Sequence, residues 1–186
     1  MSIGIDYSMS CPAACSYEPT RFGAYVQFWY AHATKHDVSF PQVTAIELPE
    51  FFSVSKRAAF LASELLDWIG DRQTLQVWIE DYAFNATGRV FHIGENTGIL
   101  KHYLDLRDIT YTPVPPTVVK KFATSKGNAD KYKMVDAFLK DYPPARDWIT
   151  KFFPRYKPGA ILAKSPLSDL ADAYFIAKYA NSTSKA

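Results

Sequence analysis

Cysteine is nearly absent from this chain: Cys11 and Cys15 are the only two in 186 residues. That is too few for a disulfide framework and points to a reducing compartment. No apolar run reaches the roughly 18 residues that a membrane-crossing helix needs. The amino terminus enters an apolar strand-like run at once, without the basic region and hydrophobic stretch of an export signal. The expectation is therefore an intracellular protein, cytoplasmic or nucleoid-associated, with no membrane partner. Internal repeats, low-complexity tracts and convincing linkers are also missing, so residues 1–186 are expected to form a single domain.

What the chain does have is a core. Hydrophobic residues make up 48% and aromatic residues 16%, which excludes a disordered protein and suits a domain that folds alone. The net charge of +2 hides a segregation. Between Val118 and Met134, Lys120, Lys121, Lys126, Lys131 and Lys133 face only Asp130. Between Lys140 and Lys164, six cations (Lys140, Arg146, Lys151, Arg155, Lys157 and Lys164) face Asp141 and Asp147. The rest of the chain is correspondingly acidic. A basic carboxy-terminal half beside an acidic remainder suits a polyanionic ligand, although an ordinary solvated face is the competing reading of lysines alone.

Periodicity predicts strands over residues 2–7, Phe22–Tyr30, Gln42–Leu48, Leu75–Glu80 and Ile109–Pro113, with Ser8–Arg21 as a long turn. Helices are predicted from Ser55 to Ile69, ended by Gly70, from between Thr87 and Glu95 to about Leu106, over Asn128–Leu139, and over Ser168–Tyr179. The stretch at 141–166 reads as an irregular, proline-rich basic insertion. Strands followed by alternating helix and strand give an α/β fold with a mixed five-stranded sheet flanked by helices. In that arrangement the first strand and the strand of Glu80 lie side by side, with their carboxyl ends level.

Four acids stand out against this frame. Asp6 ends the apolar run Ile3-Gly4-Ile5, and Glu80 ends Leu75-Gln76-Val77-Trp78-Ile79. Asp169 and Asp172 are three residues apart in Ser168-Asp169-Leu170-Ala171-Asp172-Ala173-Tyr174, a step that places both on one helix face. Acids at strand ends and a helical acid pair are costly to bring together unless cations neutralise them, so a divalent-metal site is expected. Metal-assisted phosphodiester cleavage needs such a site. Taken singly, Asp6 or Glu80 could be a turn acid after a strand, and Asp169 could simply favour a helix start.

These blocks resemble the RuvC-like Holliday junction resolvases of the ribonuclease H-like superfamily, especially bacteriophage versions. Gly4-Ile5-Asp6-Tyr7-Ser8 is similar to the first-strand motif, Ile79-Glu80-Asp81-Tyr82 to the fourth-strand motif, and Ser168-Asp169-Leu170-Ala171-Asp172-Ala173 to the final-helix motif. A fourth block, from Val119 to Lys131, resembles the segment in which one lysine precedes a glycine-containing turn and a second opens the next helix. Its turn reads Ser125-Lys126-Gly127, where related sequences often have a further glycine. The resemblance runs from Ile3 to Ala177.

It implies that Asp6, Glu80, Asp169 and Asp172 hold magnesium, two ions per site, with manganese as the substitute ion. It places Lys120 and Lys131 near the scissile phosphate as further catalytic residues, with Lys121, Lys126 and Lys133 among the DNA-binding residues. The implied activity is endonucleolytic resolution of four-way DNA junctions in recombination, repair or phage DNA processing. The implied partner is branched DNA and the implied assembly a homodimer, since a two-fold junction needs two symmetric cuts. The compartment for a phage-encoded protein would be the host cytoplasm. Competing readings are a looser nuclease on forks, flaps or RNA–DNA hybrids, and a non-catalytic branched-DNA-binding protein.

Four other features were weighed on their residues. Tyr82 and Phe84 follow Glu80 and could stack on an unpaired base at a branch point, with core packing as the alternative. Asp81 is expected to point away from Glu80. His92 and His102 read as surface or packing residues. Cys11, Cys15, His32 and His36 have spacings that invite zinc. A strand leaving the turn would carry the histidines roughly 25 Å away, so structural zinc is not expected.

Overall fold

A computed structural model of the chain describes residues 1–33, 40–70, 76–81, 90–155 and 162–183, with the side chain of residue 90 outside the description. Its centre is a six-stranded sheet of β1 (Ser2–Asp6), β2 (Ala13–Thr20), β3 (Gly23–His32), β4 (Val43–Glu47), β5 (Gln76–Glu80) and β6 (Tyr111–Val114). The spatial order is β4-β3-β2-β1-β5-β6. β2 runs antiparallel to both β1 and β3, whereas the pairs β3–β4, β1–β5 and β5–β6 are parallel. All strands except β2 therefore end at the same edge of the sheet.

Period-two alternation decides which face each side chain meets. Ile3, Ile5, Ala14, Trp29, Ala31, Val77 and Ile79 form one core with helices α1 (Val54–Ile69) and α2 (Val90–Asp105). Ala13, Cys15, Val26, Phe28 and Tyr30 form the other with α3 (Pro116–Thr124), α4 (Lys131–Asp141), α5 (Arg146–Phe152) and α6 (Leu167–Thr183). Aromatic side chains dominate that second layer: Phe28 meets Trp148, Tyr142 and Phe138 at centroid distances of 5.0, 5.6 and 5.9 Å.

Helix boundaries follow local chemistry. Ser53 caps α1 by accepting the Lys56 N–H at 3.2 Å, and Gly70 closes it at φ +67°, where glycine carries no Cβ penalty. Pro116 opens α3, a position where its missing N–H costs nothing. Ser125 then ends α3 at φ +63°, a left-handed conformation in which a glycine would be less strained.

Three expectations need correction. The sheet has six strands, because Ser8–Arg21, read as a turn, contains β2. Ala13, Ala14, Cys15 and Ser16 are poor strand formers by propensity, and pairing on both sides overrides that. The prolines after Tyr142 also mislead. Pro143–Ala145 is a single 3₁₀ turn that leads into α5, whose Trp148, Ile149 and Phe152 are buried. Finally, α3 was not foreseen. Pro113 sits on the edge strand β6, where no further strand needs its missing N–H.

The contact on which the site depends is between β1 and α6. Ser2, Gly4 and Asp6 share the face opposite Ile3 and Ile5. Ser2 Oγ donates to the Ala177 carbonyl at 2.7 Å. At Gly4 an added Cβ would overlap the Ala177 amide nitrogen and the Ala173 carbonyl oxygen, and would lie 2.9 Å from the Ala177 Cα. These are backbone atoms on both sides, so nothing can swing aside. Gly4→Ala is therefore expected to cost at least the roughly 3 kcal/mol of severe overpacking. Urea denaturation measures it, and a loss below 1 kcal/mol would mean that α6 does not sit this close.

Candidate active site

The parallel register pairs Ile5 with Ile79. One residue further along each strand, Asp6 and Glu80 stand at the carboxyl edge on the α6 side of the sheet. Asp81 turns its backbone N–H to the Val114 carbonyl at 2.8 Å. On α6, Asp169 and Asp172 occupy the same stripe as Ala173 and Ala177, which press on Gly4. The close β1–α6 approach thus carries the helical acid pair over the strand-end acids.

The electrostatics are those of one cluster. Asp6 is 6% exposed and Asp169 3%, while Glu80 and Asp172 are half-buried. Burial pushes the Asp6 carboxyl well above its ordinary range, and the charges of Glu80, Asp169 and Asp172 push it further, against Lys131. Asp172 is raised to about 7, first by burial and then by Glu80 and Asp169, with Lys131 and Lys120 opposing. Glu80 is raised by burial despite Lys120 and Lys131. Asp169 is also raised by burial, and is partly relieved by the Ser165 hydroxyl, Lys131, the Ser168 hydroxyl and its own backbone N–H.

All six residues expected to act together are therefore gathered here. Lys120 lies on α3, and Lys131 opens α4 directly after Asp130, which caps that helix by accepting the Lys133 N–H at 2.9 Å. Lys121, Lys126 and Lys133 are exposed on the same two helices and the turn between them, and Lys133 pairs with Asp130 at 3.3 Å. None of those three lysines figures among the charges acting on the acids. Lys151 and Arg155 are exposed in and after α5. Tyr82, Phe84, His36 and Lys157 lie outside the described residues.

Three further side chains, absent from the sequence-derived site, adjoin the cluster. Ser165 and Ser168 bond to Asp169, the latter at 3.2 Å in a buried contact. Cys11 is fully buried, and its thiol is pushed up by burial and then by Asp169 and Asp6. The geometric objection to zinc does not hold. Because β2 folds back on β3, Ala31 donates to the Pro12 carbonyl at 3.0 Å, and the end of β3 returns to the cysteine-bearing turn. Both cysteines are free and buried.

The donor set fits a hard divalent cation: four carboxylates with raised proton affinity, and a neighbouring thiol held protonated rather than available as a soft thiolate. Among the described residues no three such side chains converge closely enough to cage an ion.

The architecture is one shared with solved structures of RuvC and of a viral resolvase. Thermus thermophilus RuvC aligns over 98% of this chain and 96% of its own with a TM-score of 0.61 and 16% identity. The same protein in complex with a Holliday junction substrate aligns over 95% of this chain and 89% of its own, also at 0.61 and 16%. Fowlpox virus resolvase, in a complex with Holliday junction DNA, covers 98% of this chain and 97% of its own at a TM-score of 0.55 and 14% identity. At these identities the likeness is one of fold. No protein-family model matches the chain, and no curated protein matches it by sequence. Among the described residues no helix is long and apolar enough to cross a membrane.

The raised carboxyls have a consequence for stability. Asp172 has a folded value of about 7 against roughly 3.9 in an unfolded chain. Between those values the folded state holds the extra proton, so stability falls as pH rises through this window. With chelator present, the protein is expected to lose on the order of 2–4 kcal/mol between pH 4 and pH 7.5 through this group. Asp172→Asn should flatten that slope. Urea denaturation across the range checks both, and a wild-type stability that rises with pH would contradict the cluster.

Proposed function

We propose that the chain is a divalent-metal-dependent endonuclease that resolves four-way DNA junctions, acting as a homodimer with one site per subunit. The observation that supports this reading best is the gathering of four carboxylates from β1, β5 and α6 at one sheet edge, opposed by Lys120 and Lys131. The shared fold with resolvases bound to junction DNA supports the choice of substrate. In this reading residues 1–186 work as one nuclease domain.

Asp6, Glu80, Asp169 and Asp172 would hold magnesium, or manganese in its place, two ions per site. The bound ions supply an activated water and charge stabilisation at the phosphate. The residues of the chain do the rest. The carboxylates orient the ions, and their partial burial strengthens every electrostatic contact in the pocket. Lys120 and Lys131 place compact positive charge where the phosphate develops its own. Exposed Lys121, Lys126 and Lys133 on one side, and Lys151 and Arg155 on the other, steer and bind the DNA backbone without reading its sequence.

The test is incubation of the purified protein with a labelled four-way junction and a matched linear duplex, with magnesium or chelator. Paired nicks at symmetry-related positions, magnesium-dependent and leaving ligatable 5′-phosphate and 3′-hydroxyl ends, are expected from a dimer in solution. Equal cutting of forks and flaps would favour the looser nuclease, and junction binding without nicking would favour a binding protein.

Two sets of substitutions separate chemistry from binding. Asp172→Asn should lower single-turnover nicking by about a thousand-fold, the upper range for removing one charge-stabilising group, while junction affinity survives. Lys120→Ala and Lys131→Ala should slow nicking about a hundred-fold with little loss of affinity. Lys151→Ala with Arg155→Ala should instead weaken binding and lower its salt dependence by about two phosphate contacts. If all of these changed affinity alike and left the nicking rate alone, the division of roles would be wrong.

A further inference from the structure

Asp169 and Asp172 lie on the same helix face, but they are held in different ways. Three donors reach the Asp169 carboxylate: the Ser165 hydroxyl, the Ser168 hydroxyl at 3.2 Å from Oδ2, and its own backbone N–H. Ser168 is 2% exposed and Asp169 3%, so their contact is sheltered from water. Among the described residues no hydrogen-bond donor acts on Asp172, where the charges of Lys131 and Lys120 oppose those of Glu80 and Asp169. The backbone around the serines is itself fixed. Ser168 N–H donates to the Lys164 carbonyl at 3.0 Å, and Leu170 N–H to the Pro166 carbonyl at 2.9 Å, so the turn carrying Ser165 is bound to the first turn of α6.

We propose that Ser165 and Ser168 are positioning residues that fix the rotamer of Asp169 before any cation arrives, making it the pre-oriented ligand of the cluster and leaving Asp172 as the adjustable one. A carboxylate tied to two hydroxyls has lost most of its rotational freedom, so the entropy of ordering it is not charged against metal binding. It also retains lone pairs for an ion, because each carboxylate oxygen accepts more than one bond. Nothing comparable restrains Asp172, whose carboxylate can move to complete coordination. This inference rests on the metal-dependent reading above and specifies how its site is built.

The experiment measures manganese binding to the full-length protein without DNA, by calorimetry, alongside the metal dependence of junction nicking. The variants are Ser165→Ala, Ser168→Ala, the double variant and Ser168→Thr, and thermal unfolding in chelator establishes that each is folded. The double variant should bind manganese roughly ten- to a hundred-fold more weakly, the usual effect of removing the groups that orient a metal ligand. The manganese concentration for half-maximal nicking should rise in step. Ser168→Thr keeps the hydroxyl and should restore binding, which a purely structural role of the small side chain would not do. If folded double variant binds manganese as the wild type does, with unchanged metal dependence, the positioning role is overturned. If Ser168 cannot be replaced without unfolding, Ser165→Ala decides alone by the same criterion. Wild-type protein that neither binds manganese nor nicks a junction would overturn the metal-dependent reading itself, and the positioning role with it.

Discussion

Repulsion among four carboxylates in a partly dry pocket is the constraint around which this molecule is organised. Like charges repel strongly where the effective dielectric is low, and Asp6 feels the charges of Glu80, Asp169 and Asp172. Desolvation adds to that cost and heads the causes for every member of the cluster. Left to themselves these side chains would separate or take up protons. Something else in the fold must hold them together, and that work is done by the backbone elements beneath them.

Two devices do it. The first is the parallel register of β1 and β5, which places Asp6 beside Glu80 through hydrogen bonds that neither acid can influence. The second is the approach of α6 to β1 at Gly4, with Ala173 and Ala177 opposite. Small residues on both sides set the distance, and the acids are carried one turn further along the same helix face. α6 is buried almost all round, with Leu167, Leu170, Tyr174, Phe175 and Ile176 in the core, so its position is overdetermined by packing. The rings of Phe28, Phe138 and Tyr142 pack against it through Tyr174. Asp141 at the end of α4 accepts from Tyr174 at 2.7 Å and pairs with Lys178, which ties α4, and with it Lys131, to the same helix.

Much of this was legible in the sequence where one residue's role is set locally. An acid ending an apolar run announces a strand terminus, which is why Asp6 and Glu80 could be placed, and a three-residue step on a helix needs no tertiary knowledge. What escaped was set by partners distant in the chain. β2 is a strand because β1 and β3 flank it, not because Ala13, Ala14, Cys15 and Ser16 favour one. Missing it cost the sixth strand and the course of the chain between Cys11 and His32. α5 lay behind prolines that looked like breakers, although Trp148, Ile149 and Phe152 already had helical spacing. Ser165 carries no signal at all in isolation, since only the turn before α6 brings its hydroxyl to Asp169.

The arrangement of cations completes the physical logic. Two lysines oppose four carboxylates within the cluster, so the pocket stays short of positive charge, and a phosphodiester approaching it would deepen the deficit. Surface lysines cannot make this up, because interactions between exposed charges fade within a Debye length of about 8–10 Å in physiological salt. They can raise the local concentration of a polyanion and orient it, and Lys121, Lys126 and Lys133 lie on the two helices that carry Lys120 and Lys131 and on the turn between them. The inner deficit calls for compact, hard charge that enters with its own water. In the metal-dependent reading proposed above, Asp6, Glu80, Asp169 and Asp172 would receive it, and the free energy spent in assembling the cluster would return when a cation binds.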